Sequence, residues 1–132
     1  MNSAAGQLGG ELQPAGDSFW HDVREHRHGF FQREQTLWRI SVKPTAPVFH
    51  NAEPWMFEWT GAQRWTTGAL DSAEVREYAE TWGGHAVQFR HADPSVEIFH
   101  PLPPGLKAIH ERLKLAFDPE RIFNPDCIYP GL

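Results

Sequence analysis

An arginine in the middle of a predicted strand is the side chain best placed to hold an anionic substrate. Arg39 lies between Trp38 and Ile40 in the alternating segment L-W-R-I-S-V. Its planar guanidinium can donate two parallel hydrogen bonds to a carboxylate. The alternative is an arginine on the exposed face of a sheet or one that is paired with a glutamate. Arg90 and Arg64 make weaker versions of the same argument, and Arg90 is the second candidate for substrate binding.

Two histidines flank another predicted strand and are the candidate catalytic residues. His85 follows Gly83-Gly84, where a backbone can come close to a ligand, and His100 begins the turn H-P-L-P. An imidazole can accept a proton from the hydroxyl group of a bound ligand. The alternative is that each histidine only satisfies a backbone group.

Other kinds of reactive site are not indicated. His26 and His28 lie on different helical faces beside two arginines that repel a cation, and no Cys-x-x-Cys, His-Glu-x-x-His or carboxylate cluster is present. We therefore predict no metal site. Cys127 has no neighbouring base and stands beside Asp126, which disfavours the thiolate. Neither a Gly-x-Ser-x-Gly motif nor a phosphate-binding loop occurs.

Length and composition predict one globular domain. The chain has 132 residues, 40% hydrophobic and 13% aromatic, with a net charge of −5 from interspersed acids and bases. This charge argues against nucleic-acid binding, which needs a basic stripe. A single cysteine permits a reducing compartment, and we expect a cytoplasmic protein. We expect residues 1–16 to form a flexible leader and residues 17–132 the domain, without a signal peptide or membrane span.

The periodicity along the chain predicts the element order α-β-β-β-α-β-α. Strands are expected at Leu37–Val42, from Trp55, around Arg64–Thr67 and at His85–Arg90, with a hairpin over 55–67. Helices are expected after Asp17, after Asp71 and from Pro103-Pro104 to Asp118. The fold class is α+β: an antiparallel sheet of about four strands with helices mainly on one face. Ten residues are predicted to be mostly buried: Trp38, Ile40, Val42, Phe57, Val87, Phe89, Leu106, Ile109, Leu113 and Phe117.

The C-terminal stretch F-D-P-E-R-I-F-N-P-D-C-I-Y-P resembles the closing signature of FAD-linked oxidases of the vanillyl-alcohol-oxidase type. Within that family, the C-terminal portion of the glycolate oxidase FAD-binding (E) subunits is similar in further segments: G-D-S-F-W-H-D-V-R-E, L-W-R-I-S-V-K-P-T-A-P, W-G-G-H-A and F-H-P-L-P. The resemblance covers about residues 16–131. One departure is Asp126, where the family has a glycine that tolerates a positive φ.

This resemblance implies a ferredoxin-like cap domain over the reactive face of FAD, in an enzyme that oxidises a small 2-hydroxy acid such as glycolate to glyoxylate. It implies flavin contacts from Asn124 and Pro125, and partners in a flavin-binding domain or other glycolate oxidase subunits. No pyrophosphate-binding segment is recognisable, so FAD is expected in the full assembly and not on this chain alone. We expect the isolated chain to be inactive and to form a homodimer. A non-catalytic α+β module that dimerises or binds a small ligand is the alternative.

Overall fold

The computed structural model describes residues 9, 16–49 and 53–132. Two compact units are present, Met1–Arg33 and Glu34–Leu132. Apart from Gly9 and Gly16, the leader predicted for residues 1–16 lies outside the described residues. No helix among the described residues is long and apolar enough to cross a membrane.

In the first unit, helix α1 spans Gly16–Arg24 and a single 3₁₀ turn spans Gly29–Phe31. The side chain of His28 caps this turn by accepting a hydrogen bond from the backbone N–H of Phe30 (3.2 Å). Among the described residues of this unit, Val23 and Phe31 are the buried apolar side chains.

The second unit contains a sheet of four strands and two helices. The strands are β1 (Leu37–Ser41), β2 (Trp55–Glu58), β3 (Gln63–Thr67) and β4 (His85–Arg90). The helices are α2 (Ser72–Thr81) and α3 (Pro104–Phe117), and a 3₁₀ turn at Trp59–Gly61 joins β2 to β3. The predicted α+β class and element order are therefore confirmed. Asp71 caps α2 as predicted, accepting from the N–H groups of Ala73 (2.7 Å) and Glu74 (3.3 Å).

The strands pair antiparallel in the spatial order β2-β3-β1-β4. Strands β3 and β4 therefore run parallel on either side of β1, and α2 crosses between them. Strands β1 and β2 are likewise parallel on either side of β3. This strand order is compatible with a ferredoxin-like sheet, which is built from split β-α-β units. The connection from β1 to β2 contains no helix among its described residues, which are 42–49, 53 and 54.

The core lies between α2 and one side of the sheet, which we call the helix face. It contains Trp38, Ile40 and Val42 from β1 and its end, Ala86 from β4, Val75 and Ala79 from α2, and Ala46. Trp38 is 1% exposed, and Ile40, Val75 and Ala79 are fully buried. Burying a side chain of this size contributes about 1.5–3 kcal/mol relative to leaving it exposed. We call the other side of the sheet, where Arg39 and Val87 stand opposite each other, the cavity face.

The prediction of burial is wrong for six of the ten residues. The exposed ones are Phe57, Phe89, Leu106, Ile109, Leu113 and Phe117. Phe57 lies on the edge strand β2, where fewer neighbours can cover it. The four predictions in α3 failed because periodicity identifies an apolar face but not what covers it. In the described residues, the helix packed into the core is α2, and the apolar face of α3 stays open.

Arg64 is buried on the helix face, where its side chain stabilises the fold through hydrogen bonds. Its guanidinium donates to the carbonyl oxygens of Gly61 (2.9 Å), Pro47 (2.7 Å) and Ala46 (2.6 Å), and also to the hydroxyl of Tyr78. These bonds tie the segment after β1 to the sheet and to α2. With its donors used in this way, Arg64 is not available to bind a substrate.

Gly84, just before β4, packs so closely on the end of β1 that there is no space for a side chain at this position. A Cβ at this position would lie 1.8 Å from the carbonyl oxygen of Ser41. The sequence suggested that the backbone at Gly83-Gly84 comes close to a ligand. In the structure, Gly84 comes close to the backbone of Ser41 at the end of β1.

We predict that Gly84→Ala lowers the free energy of unfolding by about 1–3 kcal/mol or more, because β1 and β4 must separate to admit the methyl group. Gly105→Ala is the matched control, since nothing lies within 4 Å of its Cβ position. Gly105 is in the first turn of α3, where alanine is favoured over glycine, so this change should be neutral or slightly stabilising. Urea denaturation of both variants measures the difference. Equal stability of the two variants would contradict the close packing.

Candidate active site

A cavity of about 770 Å³ lies on the cavity face of the sheet, beside β4. Its lining includes Arg39 from β1, His85 and Val87 from β4, Glu80 from α2, and the segment Phe99–Pro103. Leu106 of α3 and Tyr129 of the C-terminal tail complete the wall. Three of the four residues predicted for catalysis and substrate binding, Arg39, His85 and His100, thus line one cavity.

The strand register explains why two of these side chains meet. Arg39 stands opposite Val87, and Ser41 stands opposite His85, in the antiparallel β1–β4 pair. Arg39 and His85 therefore project from the same side of neighbouring strands, because residues two apart on a strand share a face.

Arg39 is half-buried and has no carboxylate partner among the residues that the structure describes. Its guanidinium carbon lies 5.3 Å from the centroid of the Phe89 ring. Phe89 in turn packs edge-to-face on Trp65, with ring centroids 5.1 Å apart. Phe89 is 43% exposed, contrary to prediction, because it lies beneath the guanidinium and not in the core. The aromatic pair supports a cation whose hydrogen-bond donors remain available for an anion.

His100 is held at both ring nitrogens. Its Nδ1 accepts from the backbone N–H of Ala86 (3.3 Å), and its Nε2 lies 3.2 Å from the Glu80 carboxylate. Because Nδ1 is the acceptor, the neutral ring carries its proton on Nε2 and donates it to Glu80. Burial lowers the pKa of His100, and Arg76 and His85 lower it further, while Glu80 acts in the opposite direction. Nδ1 of His100 must release the Ala86 N–H before it can take a proton.

His85 differs from His100 in being exposed at the start of β4. The part of the chain that the structure describes gives its imidazole no hydrogen-bond partner. Of the two predicted catalytic histidines, His85 is the one with a ring free to accept a proton.

The segment of residues 97–100 lies along the edge of β4 and brings Phe99 and His100 into the lining of the cavity. The N–H of Gln88 donates to the carbonyl oxygen of Ile98 (3.0 Å). Arg76 of α2 donates to the carbonyl oxygens of Glu97 and Phe99. Arg76 and Glu80 were not predicted as part of the site. Both lie on α2, about 20 or more residues before the groups that they bind, so only the tertiary fold brings them there.

The C-terminal tail reaches the cavity through Tyr129, whose ring packs on Phe99 (centroids 5.9 Å) and His110 (6.4 Å). Asp118 directs the tail by accepting from the N–H groups of Ile122 (2.9 Å) and Phe123 (3.0 Å) and from Lys114 (2.7 Å). These hydrogen bonds, with Lys114 contributing most, lower the pKa of Asp118. The D-P motif thus turns the chain back after α3.

Asn124 lines a second cavity of about 390 Å³ with Lys114, Phe123 and Tyr129. Pro125, the other residue predicted to contact the flavin, lies beside it in the exposed tail. Asp126, at the position of the family glycine, has φ 57°. Its side chain accepts from the N–H of Gly131 (2.6 Å), a local bond of the kind that lets Asp adopt this conformation.

Arg90 ends β4 opposite Leu37 and is not part of the lining of the first cavity. Its predicted role in substrate binding stays a prediction. No group of three or more metal-binding side chains occurs in the described part of the chain.

Three segments of the second unit that could be considered for binding the pyrophosphate of FAD, the N-termini of α2 and α3 and the Gly83-Gly84 pair, do not fit it. The first N–H groups of α2 are already bonded to Asp71. Helix α3 begins at Pro104 after Pro103, and proline has no N–H to offer a phosphate. The Gly83-Gly84 backbone is packed on β1. A pyrophosphate would therefore need donors outside these residues.

The chain is similar to the glycolate oxidase subunit GlcE of Escherichia coli (strain K12), with 36% identity over 132 residues. These residues are 100% of this chain and 36% of that subunit, so the chain spans about a third of its length. The resemblance to glycolate oxidase E subunits is confirmed along the whole chain, and it is consistent with their C-terminal part. No protein-family model and no solved structure matches the chain.

We predict that stability falls at acidic pH through His100. Its lowered pKa means that the unfolded chain binds a proton first, so this contribution is complete above about pH 6.5 and is lost as pH falls towards the folded pKa. Urea denaturation at pH 8 and pH 5 measures the loss. His100→Gln should make the loss smaller, whereas His91→Gln, at an exposed position, should leave it unchanged. An unchanged loss in His100→Gln would contradict the assignment.

Proposed function

We propose that this chain is the substrate-binding part of a flavin-dependent oxidoreductase that acts on 2-hydroxy acids. The proposal is carried by the position of Arg39. Its guanidinium has no carboxylate partner among the described residues, and it lines the same cavity as His85. Similarity to GlcE along the whole chain supports the reaction class.

Arg39, His85 and His100 have distinct roles in this proposal. Arg39 holds the substrate carboxylate through two parallel hydrogen bonds, and Phe89 keeps the guanidinium in place. Conversion of a 2-hydroxy acid to a 2-oxo acid removes the hydroxyl proton and a hydride from the adjacent carbon. His85 takes the proton. His100, bonded to Ala86 and Glu80, accepts a proton only if Nδ1 first releases the N–H of Ala86.

The hydride acceptor in this proposal lies outside the chain, and the family resemblance implies FAD. Its pyrophosphate would be bound by a flavin-binding domain, because the N-termini of α2 and α3 and the Gly83-Gly84 pair do not fit it. The exposed apolar side chains of α3 and the tail give such a domain a surface to pack on, and Asn124 and Pro125 lie in that tail. Other glycolate oxidase subunits are further partners in the proposal.

A non-catalytic dimerisation module is the second candidate, and the open face of α3 is the observation that favours it. Ile109 and Leu113 are each about half exposed on this face. A two-fold dimer would cover the same side chains that a flavin domain would cover. Arg39 has no carboxylate partner in the described part of the chain, and this favours the enzyme, since dimerisation does not need such an arginine.

We expect Arg39→Ala to raise KM for the hydroxy acid about 10- to 100-fold when the chain is combined with a matching flavin-binding domain, because charged hydrogen bonds to the carboxylate are lost. Arg39→Lys should restore binding only in part, since a point charge replaces a fork. Arg112→Ala, an exposed arginine of α3 outside both cavities described above, is the control. Unchanged steady-state kinetics in Arg39→Ala would reject the role of Arg39.

We expect the purified chain to be colourless and to bind FAD weakly or not at all. The described residues could contact at most one end of the cofactor, which does not offset several kcal/mol of lost freedom in a flexible ligand. Titration of FAD with the chain, followed by flavin fluorescence, measures this directly. Tight one-to-one binding would mean that the chain carries a complete flavin site.

A further inference from the structure

The cavity that contains Arg39 is larger than a two-carbon hydroxy acid requires. Its volume is about 770 Å³. A water molecule takes about 30 Å³ of the liquid, and glycolate fills the space of only a few such molecules. The cavity is open to solvent on one side, and ligand clefts of about 300–1,000 Å³ typically take ligands of drug size. Most of this cavity is therefore space beyond the carboxylate and hydroxyl groups.

The lining of the cavity divides into a polar end and an apolar wall. Arg39, His85, His100 and Glu80 form the polar end. The apolar wall contains Val87 from the sheet, Phe99 and Leu102 from the segment beside β4, Leu106 from α3, and Tyr129 from the tail. An anionic group at Arg39 would thus leave the rest of the same molecule against hydrocarbon.

The apolar wall is built from fixed parts. Arg76 holds the carbonyl oxygens of Glu97 and Phe99, and His100 is bonded on both sides. Pro101 and Pro103 restrict the backbone on either side of Leu102. Tyr129 is packed between Phe99 and His110. A wall that is held from several elements can select among ligands, because it does not collapse onto a smaller one.

We propose that the site takes 2-hydroxy acids with an extended apolar side chain of about four carbons or more, with the carboxylate on Arg39 and the side chain along the wall. This inference rests on the proposed function and names its substrate class. Glycolate would bind only at the polar end of the cavity.

Binding to the full chain tests the substrate class without a flavin and without turnover. The probes are acetate, butanoate, hexanoate and 2-hydroxyhexanoate, measured by calorimetry at constant ionic strength. Each methylene that contacts the wall should tighten binding about fourfold. We expect hexanoate to bind at least about tenfold tighter than acetate, and hexanol, which lacks the carboxylate, to bind more weakly than hexanoate.

Two leucines of α3 provide matched variants. Leu106 lines the cavity and is 44% exposed, whereas Leu115 is 60% exposed and lines neither of the two cavities described above. Neither substitution by serine should unfold the chain, because both side chains already contact solvent. Leu106→Ser should weaken hexanoate binding severalfold and leave acetate unchanged. Leu115→Ser should change neither.

Each other outcome overturns the proposed substrate class. If the acids bind through Arg39 with no dependence on chain length, the class is wrong while the carboxylate role of Arg39 stands. If no acid binds, or if Arg39→Ala binds hexanoate as the native chain does, both the class and the role of Arg39 fail. If lumiflavin binds with the Leu106 dependence and the acids do not, the wall belongs to a flavin ring.

Discussion

The close approach of Gly84 to the carbonyl oxygen of Ser41 fixes how β4 lies on β1, and the site depends on that register. It sets His85 opposite Ser41 and Val87 opposite Arg39. A shift of a single residue would move His85 to the helix face, because neighbouring residues on a strand point to opposite sides. The chemistry of the cavity face therefore begins with a contact between two main chains, in which no reactive side chain takes part.

The strands and helices could be predicted because their signals are local. The alternation around Arg39 defines β1, Asp71 marks the start of α2, and Asp118 marks the end of α3. The position of Arg39 and His85 on one face could not be predicted, since it depends on which strands become neighbours. Strand order is a property of the whole sheet, and the periodicity of a short segment does not indicate which strands are its neighbours.

The errors in the predicted core have a common physical origin. A stripe of apolar residues shows that a helix face avoids water, but it does not show whether the cover comes from the same chain. The face of α3 with Leu113 and Phe117 is open, whereas the shorter α2 carries the core with Val75 and Ala79. Arg64 shows the opposite error, because a strand arginine can be consumed by backbone carbonyl groups as readily as by a ligand.

The edge of the sheet beside the cavity is closed to strand addition. The N–H of Gln88 on β4 donates to the carbonyl oxygen of Ile98, and the N–H of Ala86 donates to the ring of His100. A strand edge whose main-chain groups are already bonded does not offer a template for pairing with another strand. A peptide that reached this edge would have to displace Ile98 and His100 before it could pair with β4, so the cavity wall also protects the sheet from this mode of association.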